Sequence, residues 1–143
     1  MERMDLLERT LGIRRPWYVD SAQLEPEIGV LSVQLNFESG GTFACSGCGR
    51  RNCKAYDTHW KEWRHLDFFE YRTVLHAPSP RIVCPACGIR QARLPWARLR
   101  ARFTLGLEAF VADMAEEVPV AAVARFLGEH DTRLGYLLRT HLW

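Results

Sequence analysis

The chain has 143 residues, 48% of them apolar and 25% charged, with a formal net charge of +2, as in an ordinary globular protein of one domain or two small ones. Its longest uncharged runs fall far short of a bilayer span, and Met1-Glu2-Arg3-Met4-Asp5 opens an amphipathic helix rather than a secretory signal. A membrane partner is therefore excluded, and a cytoplasmic setting, where thiols stay reduced and paired cysteines bind metal more often than they form disulfides, is expected.

Residues 5–12, Asp5-Leu6-Leu7-Glu8-Arg9-Thr10-Leu11-Gly12, predict a short helix with Leu6, Leu7 and Leu11 on one core-packing face and Gly12 as its stop. Pro16 blocks any continuation. Trp17 to Val19, and again Ile28 to Phe37, alternate apolar with small or polar residues, as antiparallel strands do. Ser39-Gly40-Gly41 then loops into Cys45-Ser-Gly-Cys48-Gly, the first of two cysteine pairs; the second is Cys84-Pro-Ala-Cys87-Gly.

Between the pairs, Tyr56, Trp60, Trp63, Leu66, Phe68, Phe69 and Tyr71 are too dense for a solvated linker, and Tyr71 to His76 alternates like a strand. Pro78-Ser79-Pro80 is expected to break it. Arg81-Ile82-Val83 enters the second pair as a strand, and Gln91 to Leu94 leaves it extended until Pro95. The aromatic residues are expected to fill a thin core; Trp60 and Trp63 stacking on nucleobases is the less favoured reading.

Two C-x-x-C-G turns can gather four thiolates tetrahedrally around one ion, with glycine letting the backbone curl toward the metal. Cys45, Cys48, Cys84 and Cys87 are thus the predicted ligands of one structural Zn2+, and the insert between them is expected to be a folded hairpin. Iron in the same ligand set stays open, whereas a redox pair is disfavoured because neither pair joins a strand to a helix. Cys53 is read as a spare buried thiol, and His59, His65 and His76 as ordinary polar residues rather than ligands.

After Pro95 the pattern turns helical. Leu107, Phe110, Val111 and Met114 mark one buried helical face, with the acidic residues mainly opposite. Val118-Pro119 ends it. Val120 to Gly128 and Thr132 to Thr140 then fit two crossing helices, with Ala124 and Gly128 where they meet, Val123, Leu127, Leu134, Leu137 and Leu138 buried, and Asp131 or Thr132 as a cap. The pair reads either as a helix-turn-helix or as a plain helical hairpin. In the first case Arg133, Tyr136, Arg139 and Thr140 face outward toward base edges or phosphates.

Charge is strongly segregated. Residues 81–102 hold Arg81, Arg90, Arg93, Arg98, Arg100 and Arg102 and no acidic residue, while residues 103–117 hold Glu108, Asp113, Glu116 and Glu117 and no basic one. An arginine-only strip suits phosphate oxygens, which the guanidinium fork grips in pairs; a merely solvated face is the plain alternative.

Taken together, the paired cysteine turns around Trp63-Arg64-His65-Leu66-Asp67, then Pro119 to Arg125 and Gly128-Glu129-His130-Asp131-Thr132-Arg133, resemble the N-terminal part of bacterial insertion-sequence transposases of the ISL-three type, over roughly residues 5–143. In that family a zinc-binding region and a helix-turn-helix precede a longer RNase H-like catalytic domain that cuts and joins DNA at the element's inverted repeats. The chain ends at Trp143, where that domain would begin, so the resemblance implies a nucleoid-associated DNA-binding portion without strand transfer, a piece of a longer transposase or a naturally short relative.

The expected fold is therefore α+β. Residues 1–95 form a small zinc-stapled antiparallel β-sheet, zinc-ribbon-like, with a short N-terminal helix, and residues 96–143 a three-helix helix-turn-helix bundle. Double-stranded DNA is the expected partner, with Arg90, Arg93, Arg98, Arg100 and Arg102 on phosphates and Arg133, Tyr136 and Arg139 carrying sequence preference. A homodimer is left open, as is a stand-alone zinc-ribbon regulator or protein-interaction module. A metalloenzyme would need a metal with fewer than four protein ligands, and four cysteines argue against it.

Overall fold

The computed structural model describes the backbone of residues 3–142 and the side chains of residues 5–139; the expected outward side chain of Thr140, and Trp143, lie outside them. Helix α1 (Arg3–Leu11) leads into strands β1 (Trp17–Glu25), β2 (Val30–Phe37), β3 (Thr42–Phe43), β4 (Cys53–Phe68), β5 (Tyr71–Cys84) and β6 (Gly88–Gln91). Three helices follow, α2 (Leu105–Glu117), α3 (Val120–Leu127) and α4 (Asp131–Leu142).

Gly12, at φ 71°, closes α1 where any side chain would be strained. Glu8 then accepts a hydrogen bond from the Val19 N–H at 2.8 Å, tying the helix to β1. Leu7 and Leu11 pack on the sheet, but Leu6, expected on the same face, is exposed, because the helix lies with only one narrow stripe against β1.

The sheet runs in the order β1-β2-β5-β4-β3, with β6 paired to β5. It is not wholly antiparallel: β2 pairs β5 in parallel, from Val30 beside Arg72 to Gln34 beside His76. The reason is topological. The long β4–β5 hairpin returns to the sheet through its second strand, which must then run the same way as β2. Nor do Pro78 and Pro80 break β5. Pro80 accepts a hydrogen bond from the Ala92 N–H on the β6 side, and the N and O of one strand residue point the same way, so its missing donor faces away from β4. Pro78 lies between the last β2 pair and the first β6 pair, a gap where no ladder bond is lost.

Two apolar clusters result. The first joins Val33, Leu35, Leu75, Ala77 and Ile82 to an edge-to-face array in which Trp96 meets Trp17 at 4.7 Å and Trp63 at 5.3 Å between ring centroids. Trp96 and Ala97, which follow Pro95, thus belong to the sheet's core. The second cluster packs Phe103, Leu107, Val111, Val123, Ala124, Leu127, Leu134 and Leu137 among α2, α3 and α4.

The helices are anchored on β4 by main chain and by charge. Arg64 donates its N–H to the Arg102 carbonyl and accepts from the Thr104 N–H, both at 2.9 Å. The Arg64 guanidinium, 5% exposed, faces Asp67 at 2.9 Å and Glu129 at 3.4 Å, and Glu129 also meets Arg72 at 3.1 Å. Thr104 caps α2 by accepting from the Leu107 N–H, and its hydroxyl lies 2.6 Å from His65 Nδ1.

A buried guanidinium left without its carboxylate is costly, so Glu129→Ala is expected to lower stability by about 3 kcal/mol in urea unfolding, with Glu129→Asp in between. Burial holds the His65 imidazole below its ordinary 6.5. The unfolded chain therefore takes up this proton first as pH falls, so the neutral ring's contribution is whole above pH 6.5 and is lost as pH drops through the folded value. Unfolding midpoints compared at pH 7.5 and 5.5 should fall further for the native chain than for His65→Gln.

Candidate metal centre and nucleic-acid interface

Both cysteine turns sit at the end of the sheet reached by the starts of β4 and β6. Backbone bonds join them: Arg93 donates to the Ala44 carbonyl at 2.9 Å and Ser46 to Gln91 at 3.3 Å, while Cys45 bridges to Ala92. Glycine matters in both turns, since Gly88 in the second also sits at a positive φ, 78°. Gly49 turns the chain at φ 79°, and a Cβ on Gly47 would lie 3.3 Å from Cys87 Sγ, against the cluster itself.

The sulfurs of Cys45, Cys48, Cys84 and Cys87 all lie within 4.8 Å of one another, and Cys48 and Cys84 are 3.6 Å apart. Four thiolates at about 2.3 Å from a tetrahedral zinc are about 3.8 Å from each other, so the set fits the ion. The protein also prepares the charge. The Cys87 amide, with that of Ala86, points at Cys84 and brings its thiol down to about 6, and the Cys48 amide likewise lowers Cys45. Cys87 is pushed up to about 12, chiefly by its hydrogen bond to Cys48 and by burial, so binding a metal there must displace its proton.

Cys53 stands outside the set. Its buried thiol donates to the Arg50 carbonyl at 3.5 Å, and burial raises it above the ordinary thiol range. The only metal-holding group among the described residues is the four-cysteine one; His59, His65 and His76 are not in it.

Two surfaces expected to be separate in the chain meet in space. Arg98, Arg100 and Arg102 line one side of a groove of about 380 Å³, and Arg133, Tyr136 and Arg139 of α4 line the other. Their state differs. Arg98 grips Glu108 through two bonds of 2.8 and 2.6 Å, and Glu108 is 1% exposed, so this acidic residue of α2 faces inward rather than away from the core. Arg100, Arg102, Arg133, Tyr136 and Arg139 are exposed. Arg90 and Arg93 lie apart from the groove at the metal end, Arg90 donating to the Cys87 carbonyl at 3.4 Å and Arg93 passing over Gly49.

Sequence reasoning missed the Arg64–Glu129–Arg72 network. Its only sequence sign was a pair of charged motifs distant in the chain, which periodicity cannot join.

A four-thiolate knuckle pair on a sheet, followed by three small packed helices, has the ligand set of a structural zinc ribbon. Comparison with known proteins specifies it further. Residues 41–87 match the zinc-finger of transposase IS204/IS1001/IS1096/IS1165, and residues 92–141 the helix-turn-helix domain of transposase family ISL3. The chain thus carries the zinc-ribbon and helix-turn-helix domains of ISL3 transposases, with one structural zinc.

It is 38% identical over 131 residues to the transposase for insertion sequence element IS1001 of Bordetella parapertussis, covering 89% of this chain and 32% of that protein. It is 33% identical over 85 residues to the transposase for insertion sequence element IS1557 of Mycobacterium tuberculosis, in two strains, covering 58% of this chain and 19% of the relative. The chain therefore spans about a third or less of the curated relatives it matches. No solved structure matches it significantly. Among the described residues, no helix is long and apolar enough to cross a membrane.

Because the exposed Cys48 gives a chelator access, zinc removal should abolish most of the cooperative thermal transition. Metal analysis should find one zinc per chain in the native protein and in Cys53→Ala, and much less in Cys45→Ser.

Proposed function

We propose that the chain is the DNA-binding portion of an ISL3-type transposase, recognising the terminal inverted repeats of its element and not itself performing strand transfer. The observation that carries this reading is the groove in which the arginine strip and the outward face of α4 oppose each other. α3 and α4 form the helix-turn-helix, with Gly128 in the left-handed conformation at φ 69° between them and α4 as the recognition helix. The reading of α2, α3 and α4 as a three-helix bundle is supported by the apolar core they share.

On this reading Arg100 and Arg102 neutralise phosphates beside the groove in which α4 lies, while Arg133, Tyr136 and Arg139 reach base edges. Arg98 supports them from its pair with Glu108. Arg90 and Arg93 extend the positive surface toward the zinc. The metal acts on DNA only through shape, by holding residues 91–93 to residues 44–46 at the start of the strip. Absence of chemistry in this stretch is supported by its metal set, a four-thiolate one that leaves no open position for a substrate. Such a protein works in the cytoplasm, on the nucleoid. Pairing with a second copy is supported by the outer edge of β4 over residues 55–60, where β3 has stopped and the bridge to Phe103 has not begun.

Fluorescence anisotropy across a salt series tests the reading with element-end and random duplexes. Arg100→Gln with Arg102→Gln should weaken both duplexes alike and flatten the salt slope by roughly 1 for each phosphate no longer neutralised, whereas Arg133→Ala should cost the element end about 1–3 kcal/mol and the random duplex less. Failure of the native protein to bind either duplex would leave the protein-interaction module as the better account.

A further inference from the structure

Beside the groove lies a second cavity, which shares arginines with the DNA-binding reading but whose interior that reading leaves unfilled. It is a cleft of about 500 Å³ between the outer part of β4, the ends of β5 and β6, and the turn of residues 97–101. The volume lies within the roughly 300–1,000 Å³ usual for small-molecule sites and is far too small to enclose a duplex.

Its lining is specific in charge. Lys61, Arg93 and Arg100 contribute cations besides the Glu108-bound Arg98, and among the described residues no carboxylate lines it. Its wall is in part apolar, with Leu94, Ala97 and Trp63. Ser79, 3% exposed, makes a long hydrogen bond of 3.4 Å to Gln91 Oε1, which occupies the carbonyl end and leaves the amide's N–H donors for a ligand. Cations, apolar wall residues and an amide together suit one nucleotide: phosphate, base face and base edge.

Position supplies the second argument. Arg98, Arg100 and Ala101 line both the cleft and the groove, so the two cavities are opposite sides of one turn, with Arg100 at φ 64° in it. A strand lying along the groove therefore has a continuous cationic path over the turn into the cleft.

We propose that this cleft takes a single unpaired nucleotide continuous with the bound duplex, such as a single-stranded extension or a base displaced from its stack. The inference rests on the DNA-binding reading, and its test separates the two. Affinity is measured for a blunt duplex and for the same duplex with a three-nucleotide single-stranded extension. The extension should tighten binding by roughly tenfold, the effect of one well-held base. Lys61→Met and Gln91→Leu should each remove most of that gain and leave the blunt duplex unchanged.

Equal binding of the two duplexes by the native protein overturns the nucleotide site while leaving DNA binding intact. Equal losses on both duplexes in the two variants overturn it as well. Binding of neither duplex sinks the DNA reading and this inference with it. A competition arm with a mononucleotide and with inorganic phosphate separates the sources of the anion. The mononucleotide should displace the extension's contribution at much lower concentration, and equal potency of phosphate would overturn recognition of the base.

Discussion

Four sulfur atoms held within 4.8 Å of one another are the constraint on which the rest of this protein depends. Thiolates so close repel unless a cation sits among them, and the backbone amides aimed at Cys45 and Cys84 favour the charged form that the cation requires. Zinc therefore completes the end of the sheet rather than decorating it. Through the bonds between residues 44–46 and 91–93 it also fixes where β6 ends and thus where the arginine strip begins.

From there the strip is guided by two insertions into the body of the protein. Trp96 enters the aromatic array of the sheet, and Phe103 enters the core of the helices. Residues 98–102, between Ala97 and Phe103, follow neither core and form the turn that carries Arg98 and Arg100. Arg64 and Glu129 then set how the helices sit on the sheet, because a guanidinium and a carboxylate each about 5% exposed or less tolerate few arrangements that keep both neutralised. The orientation of α4 against the strip follows from that pairing.

The molecule thus divides its labour by position. Charge that holds the fold is paired with a buried carboxylate, Arg64 with Glu129 and Arg98 with Glu108, whereas other cations are exposed around the groove and the cleft. The whole-chain net charge of +2 conceals this completely. A nearly neutral protein can still present a cationic face if its carboxylates are spent inside or on the far side of a helix.

Much of this was legible in the chain itself. Ligand chemistry is local: two C-x-x-C-G turns specify a four-thiolate site wherever the intervening hairpin brings them, and the periodicity of Leu107, Val111, Val123, Leu127, Leu134 and Leu137 specifies helices with one buried face. Glycine at 12 and 128 marked the helix ends for the same reason, since only local backbone sterics are involved. Tertiary structure alone decided the parallel pairing of β2 with β5, the passage of β5 through Pro78 and Pro80, and the inward turn of Glu108 toward Arg98. Each of these depends on which neighbour lies across a gap, a nonlocal fact that no periodicity encodes. The meeting of the arginine strip with α4 around one groove is of the same kind: residue types can be read in order, but their convergence is set by the packing between sheet and helices.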